Sequence, residues 1–196
     1  SRGRLRGQWL IEIFVNLPLV LPPVATGLIL LIIFGREGLL GGLLDPLGIH
    51  FVFDWKGAVL ASAVVSFPLL VRAVRLAFDA VDPGLPAMAR SLGDGPWRAF
   101  ARVELPLALP GVAAGATLAL ARCLGEFGAT IVFAGNLPGA TRTIPLAIYD
   151  LYETPDGLSR SWRLLGLSVV IAAGALVVSE ILQRRGRCRL GRELGA

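Results

Sequence analysis

Charge is what this 196-residue chain has least of. Asp, Glu, Lys and Arg make up 17% of it, against about a quarter in a soluble domain. Lysine is almost missing, since Lys56 is the only one among the 19 basic residues. Two cysteines, Cys123 and Cys188, are too few for a disulfide-stapled secreted module. His50 is the only histidine and no Cys/His cluster exists, so neither a metal site nor a cofactor is expected, and a lone loop histidine reads as solvated surface. No GxxxxGK[ST] phosphate loop occurs, so the chain does not itself use ATP in the usual way. No Ser-His-Asp set is visible, which leaves an intramembrane enzyme without support. The 24 glycines keep no fixed period, which excludes collagen.

What is present is apolar. Hydrophobic residues reach 55% and the mean hydropathy is +0.70, far from the composition of a disordered chain. The apolar residues come in runs. Asn16 to Phe34 is 19 residues without a charge. As a helix it reaches roughly 28 Å, close to the bilayer's hydrocarbon thickness of about 30 Å. Gly57 to Val71, Leu105 to Ala121 and Leu164 to Ser179 are also uncharged. The shorter runs lengthen by a turn if Arg72, Lys56, Arg163 or Glu180 snorkels to the interface. A soluble bundle of buried helices is the rival, and runs of this length speak against it. The expected fold is therefore all-α, a polytopic transmembrane helical bundle in one domain over 1–196. About four spans are expected, at 16–34, 57–75, 105–126 and 164–182. A fifth uncharged stretch, Phe127 to Thr141, contains three Gly and Pro138 and reads as a broken or re-entrant segment.

The arginines orient the spans. Thirteen lie in the amino-terminal segment (Arg2, Arg4, Arg6), the loop at 76–104 with its flanks (Arg72, Arg75, Arg90, Arg98, Arg102) and the tail (Arg184, Arg185, Arg187, Arg189, Arg192). Five basic residues lie on the other side: Arg36, Lys56, Arg142, Arg160 and Arg163. Positive charge favours the cytoplasmic face, which puts both termini and the 76–104 loop inside a cell (inner) membrane. A pI near 10.2 then matches an anionic inner leaflet and needs no nucleic acid. The two cysteines fall in different environments, against a disulfide.

The inner loop is the most informative segment. Pro83 and Pro86 end or bend the helix of the second span. A short helix over Ala87 to Leu92 should stop at Gly93, which takes the left-handed conformation at low cost. Asp94 is placed to cap the next helix, and Pro96 fits its first turn. Leu105-Pro106 marks the entry to the third span. Two short helices parted by Gly suggest an exposed element that docks into a groove of another protein. A helix-turn-helix DNA reader is the rival, but a loop this short, tethered at both ends, would struggle to reach a groove.

With its small residues, three-residue spacer, Gly and subsequent Leu-Pro, this loop resembles the cytoplasmic "EAA" loop of ABC importer permeases. The family loop usually begins with an acidic residue, where this chain has Ala87. Leu17-Pro18-Leu19-Val20-Leu21-Pro22-Pro23-Val24 is similar to a stretch of molybdate permeases. So is Leu124-Gly125-Glu126-Phe127-Gly128-Ala129-Thr130, with Thr143-Ile144-Pro145-Leu146 after it. The resemblance implies that Ala87, Met88, Ala89, Arg90, Ser91, Leu92 and Gly93 form the coupling loop that sits on a separate ATPase subunit. It implies as partners a second permease copy forming a homodimer, a cytoplasmic ABC ATPase and an extracytoplasmic molybdate-binding protein, within the lipid bilayer. It implies a cargo of molybdate, with sulfate, thiosulfate or tungstate as alternatives. The family carries at least one more span before the Leu-Pro-rich one; with the start at Ser1, the chain reads as missing an amino-terminal span. A passive anion channel or a structural membrane subunit is the reading from another class, and neither needs a groove-docking helix pair.

Within the spans, Pro18, Pro22 and Pro23 each lack an N–H and disturb the preceding turn, so the first span must bend or break. Such a break is either a structural kink or part of a path. Arg122 and Glu126 are four apart and share a face if the helix continues. Either they form a mutual pair that orients the helix, or their segment flanks the anion path. Gly125 and Gly128 allow flexing or close approach there. The candidate path residues are Pro22, Pro23, Arg122, Gly125, Glu126, Gly128 and Thr130.

Overall fold

Pro22 and Pro23 break the first apolar run. In the computed structural model, which describes residues 7–155 and 157–193, α1 (Gln8–Val20) ends before Leu21, whose ψ of 143° is extended, and α2 (Pro23–Phe34) starts after Pro22. The arms Trp9–Val20 and Pro23–Phe34 are bent by 116°. The single span expected at 16–34 is thus divided, because two consecutive prolines remove two N–H donors and push the preceding residue out of the helical region. Pro18 stays inside α1.

The short elements α3 (Gly41–Leu44) and a 3-10 turn (Asp45–Leu47) come next, then α4 (Trp55–Asp79). In the inner loop lie α5 (Gly84–Ser91) and α6 (Pro96–Ala99), and a π-turn (Phe100–Glu104) leads into α7 (Leu105–Leu124). The chain closes with α8 (Gly128–Phe133), α9 (Ile144–Tyr152) and α10 (Gly157–Glu193). Every regular element among the described residues is helical. The stretches Trp55–Asp79, Pro96–Leu124 and Ser159–Arg184 are each long and apolar enough to cross a membrane, and the bent pair makes a fourth if taken as one span.

Several expected boundaries shift. The third helix stops at Leu124 rather than at 126, leaving Glu126 outside it. α7 begins at Leu105, the residue expected to open the third span, but it continues without a break from the helix at Pro96 through the π-turn. Cys188 and the arginines at 185, 187, 189 and 192 have side chains outside the described set, as do Arg2, Arg4 and Arg6.

The chain divides into two compact units. One comprises residues 7–68 and 120–172. Its core is Leu30, Ala61, Val65, Ala129 and Phe133. Phe34 meets the rings of Phe51 and Phe133 edge-on, with centroids 5.3 and 6.1 Å apart. Burying such aromatic edges adds about 1 kcal/mol per pair beyond the area term. The other unit comprises, among the described residues, 69–119 and 173–193. In it α7 packs closely on α4: a Cβ on Gly111 would lie 2.8 Å from that of Ala77, and one on Gly115 would collide with Ala73. Small residues there let the two backbones approach. The Ser179 hydroxyl donates to the Ala114 carbonyl at 3.2 Å, tying α10 to the same helix.

Candidate functional site

The first candidate region surrounds Glu126. After α7 ends, the chain turns through Gly125 to Phe127 and starts α8. Glu126 is buried, its side chain only 1% exposed. Both carboxylate oxygens have donors. Arg122 Nη1 lies 3.0 Å from Oε2, and the Ala129 N–H donates to Oε1 at 2.9 Å. The two side chains therefore pair although the helix does not continue to Glu126. A carboxylate satisfied by one guanidinium and one backbone donor tolerates burial that an unpaired one would not. Arg122 differs, with a side chain 40% exposed.

The small residues beside Glu126 have a steric reason. A Cβ on Gly128 would lie 2.9 Å from that of Pro23 and 3.2 Å from the Val24 nitrogen. One on Gly27, a position with no signal in the sequence, would sit 2.7 Å from the Ala129 carbonyl oxygen. So α2 and α8 touch backbone to backbone. Gly125, by contrast, has open space around it, with only the Arg122 carbonyl at 3.8 Å. Thr130 is buried and donates its hydroxyl to the Phe127 carbonyl at 2.9 Å. Pro22 and Pro23 are exposed. The structure thus brings Pro23, Glu126, Gly128 and Thr130 together.

Other polar groups carry no signal in the sequence. The hydroxyls of Thr26 and Ser66 are buried with no hydrogen-bond partner. Asn136, Arg142 and Asp150 form a closed network: Asn136 Nδ2 donates to Asp150 at 2.7 Å, and Arg142 donates to Asn136 at 3.0 Å and pairs with Asp150 at 2.6 Å. It ties the turn after α8 to α9. On α9, Tyr149 stacks obliquely on Phe127 with centroids 5.3 Å apart. Its phenol is raised above the usual range, first by the hydrogen bond to Glu153 and then by that carboxylate's charge. Next to Gly125 lies a mainly apolar cavity of about 360 Å³. Its walls include Ala121, Leu124, Pro145 and Ser168. Among the described residues no three of His, Cys, Asp and Glu come together as metal ligands. Cys123 donates weakly to the Ser62 carbonyl at 3.4 Å, and His50, about half-exposed, has its Nδ1 3.3 Å from Asp45 Oδ1.

The second region is the inner loop. Its helix starts at Gly84, three residues earlier than expected, because Asp82 Oδ1 takes the Gly84 N–H at 2.8 Å and Pro86 sits in the first turn, where a missing N–H costs nothing. It ends on Gly93, at φ +100°. The Gly93 N–H bonds to the Arg90 carbonyl and the Asp94 N–H to that of Ala89, both at 3.1 Å, which is a Schellman closure. Asp94 caps nothing: the next helix has no side-chain cap, and Asp94 instead pairs with Arg102 at 3.4 Å. Ala87, Met88, Arg90, Ser91 and Leu92 are exposed and Ala89 is half-buried; Leu92 and Trp97 are 89% and 81% exposed. Leu92, just past the end of α5, and Trp97, in α6, thus leave two large apolar side chains in the open on this loop.

The profile of a family described as binding-protein-dependent transport system inner membrane component matches residues 2–185. Over 187 residues the chain is 54% identical to the molybdenum transport system permease protein ModB of Escherichia coli K12, covering 95% of this chain and 82% of that one. Over 192 residues it is 47% identical to ModB of Haemophilus influenzae, covering 97% and 84%. The sulfate transport system permease protein CysW of Synechococcus elongatus is 34% identical over 188 residues, 94% and 64% of the two chains.

Proposed function

The chain belongs to the family of binding-protein-dependent transport system inner membrane components, and we propose that it is the multi-pass permease subunit through which molybdate enters the cytoplasm. It is a transport subunit and not an enzyme. The ATP is hydrolysed by a separate cytoplasmic subunit, a binding protein delivers the anion from outside, and two copies of the chain form the pathway. The observation that carries the mechanism is the exposed, glycine-closed helix Gly84–Ser91 between two apolar spans, since a channel has no use for a docking helix. The molybdenum relatives supply the cargo and outweigh the sulfate one. The apolar faces of α10, with Val169, Val170, Leu176 and Val177 exposed, suit lipid or the second copy.

In this reading both termini and the 76–104 loop are cytoplasmic. Reporter fusions at Asp94 should read inside and at Gly42 outside; the reverse would overturn the orientation. Residues 84–93 couple to the ATPase. The segment from Arg122 to Thr130, packed on Pro23, flanks the anion path. Within it Glu126 is the internal clasp, and half-exposed Arg122 supplies the positive charge that draws an oxyanion. The test is uptake of labelled molybdate into proteoliposomes holding the chain with its ATPase and binding protein. Uptake that needs ATP and survives a tenfold excess of sulfate, an excess worth about 1.4 kcal/mol, supports the proposal. Uptake abolished by sulfate moves the chain to the sulfate class, and uptake without ATP makes it a channel.

A further inference from the structure

The helix that carries the loop into the third span is not uniform. The Leu105 N–H bonds back to the Phe100 carbonyl, five residues away, and Phe100–Glu104 forms a π-turn. Such a turn holds one residue more than an α-turn. It therefore rotates everything before it by about 100° relative to a continuous helix at 3.6 residues per turn. Phe100, its first residue, stacks on Phe78 near the end of α4 at 5.8 Å and 14°. Trp97 meets the other side of this arrangement edge-on, 6.5 Å from Phe100. Ala99, beside them, is fully buried. Arg102, within the turn, reaches back to Asp94, just after the Schellman closure. Aromatic stack and ion pair thus join α5, α6 and the end of α4 to one register of the π-turn.

We infer that the Phe100–Glu104 π-turn, keyed by the Phe78–Phe100 stack, sets the direction in which the α5 helix faces the ATPase, so that Phe78 and Phe100 are positioning residues for coupling. This rests on the transport reading above. Neither ring is offered to the partner: both are half-buried and engaged with each other, whereas Met88, Leu92 and Trp97 carry the open surface. A movement of α5 then reaches the ends of α4 and α7 together, since the stack spans one and the π-turn begins the other.

The test uses the permease reconstituted with its ATPase and binding protein in proteoliposomes. Phe100→Leu keeps apolar volume and loses the stack; Phe100→Tyr keeps the stack. Deleting Ala101 removes the extra residue and turns the loop back. Three quantities are read: ATPase retained on purification, ATP hydrolysed, and molybdate taken up per ATP. Phe100→Leu should keep the ATPase bound and lower uptake per ATP roughly fivefold, the size of a typical coupling change. Phe100→Tyr should behave like the parent, and the Ala101 deletion should lose uptake altogether. Parent-like uptake per ATP in Phe100→Leu would overturn the inference while leaving the transport reading standing, as would a Phe100→Tyr variant as poor as Phe100→Leu. Failure of the parent chain itself to retain an ATPase would overturn the transport reading and this inference with it.

Discussion

Gly93 and Gly128 are the same residue used for opposite reasons. Gly93 has φ +100° and open space where a Cβ would go. Its constraint is its own backbone. Gly128 keeps an ordinary φ, but a Cβ there would run into Pro23 and Val24. Its constraint is its neighbours. The two regions differ in the same way. The inner loop is closed by local backbone bonds and shows its side chains to the outside. The segment around Glu126 packs on α2, far away in sequence, and buries the Glu126 carboxylate and the Thr130 hydroxyl. One presents its side chains outward, the other packs on a neighbouring helix, and substitutions separate them.

Between these two regions the largest loss of stability is expected at Gly27, where an added methyl meets the Ala129 backbone and cannot be accommodated by a side-chain rotation. Gly27→Ala should cost roughly 3 kcal/mol, at the upper end for overpacking, read as a lower thermal midpoint in detergent. An unchanged midpoint would mean that α2 and α8 do not touch backbone to backbone.

Next comes Glu126. Removing the carboxylate strands the Ala129 N–H and leaves Arg122 without its acceptor. Glu126→Ala should cost about 2 kcal/mol. Glu126→Gln should cost less, since an amide oxygen still accepts the Ala129 N–H. The double Arg122→Ala, Glu126→Ala variant should recover only part of the loss, because that N–H stays unpaired. Full recovery would make the pair purely mutual. Arg122→Ala alone should lower molybdate uptake more than it lowers the midpoint, its side chain being half-exposed.

The smallest stability effect belongs to the inner loop. Gly93→Asn should cost well under 1 kcal/mol, because Asn tolerates the left-handed region, while Gly93→Ala should cost about 1 kcal/mol of strain. Equal midpoints for Asn and Ala would remove the positive φ from the explanation.

These differences mark what was legible in the sequence. Uncharged runs of span length need only composition, and α4, α7 and α10 come from them. Gly93 as a helix stop and Pro22-Pro23 as a break are local backbone effects, so they too could be read. Pro86 reads as a breaker, and α5 as starting at Ala87, until the Asp82 carboxylate is seen to take the Gly84 N–H. The Arg122–Glu126 pair was visible as an i, i+4 spacing. That Gly27 must be glycine depends on how α2 meets α8, which no spacing encodes. The second carboxylate oxygen is taken by the Ala129 N–H, a local i, i+3 bond that forms because the chain turns at Gly125 to Phe127 and starts α8 there. The π-turn at Phe100–Glu104 leaves no mark in hydrophobic periodicity at all.

The most direct test of the division between a presented loop and a packed segment is uptake per ATP for Gly93→Val in the reconstituted transporter. A β-branched residue at φ +100° distorts the helix closure without touching any neighbour. The expected result is a permease that inserts normally, keeps its ATPase and hydrolyses ATP, yet takes up little molybdate. Hydrolysis and uptake both matching the parent would contradict a coupling role for the loop.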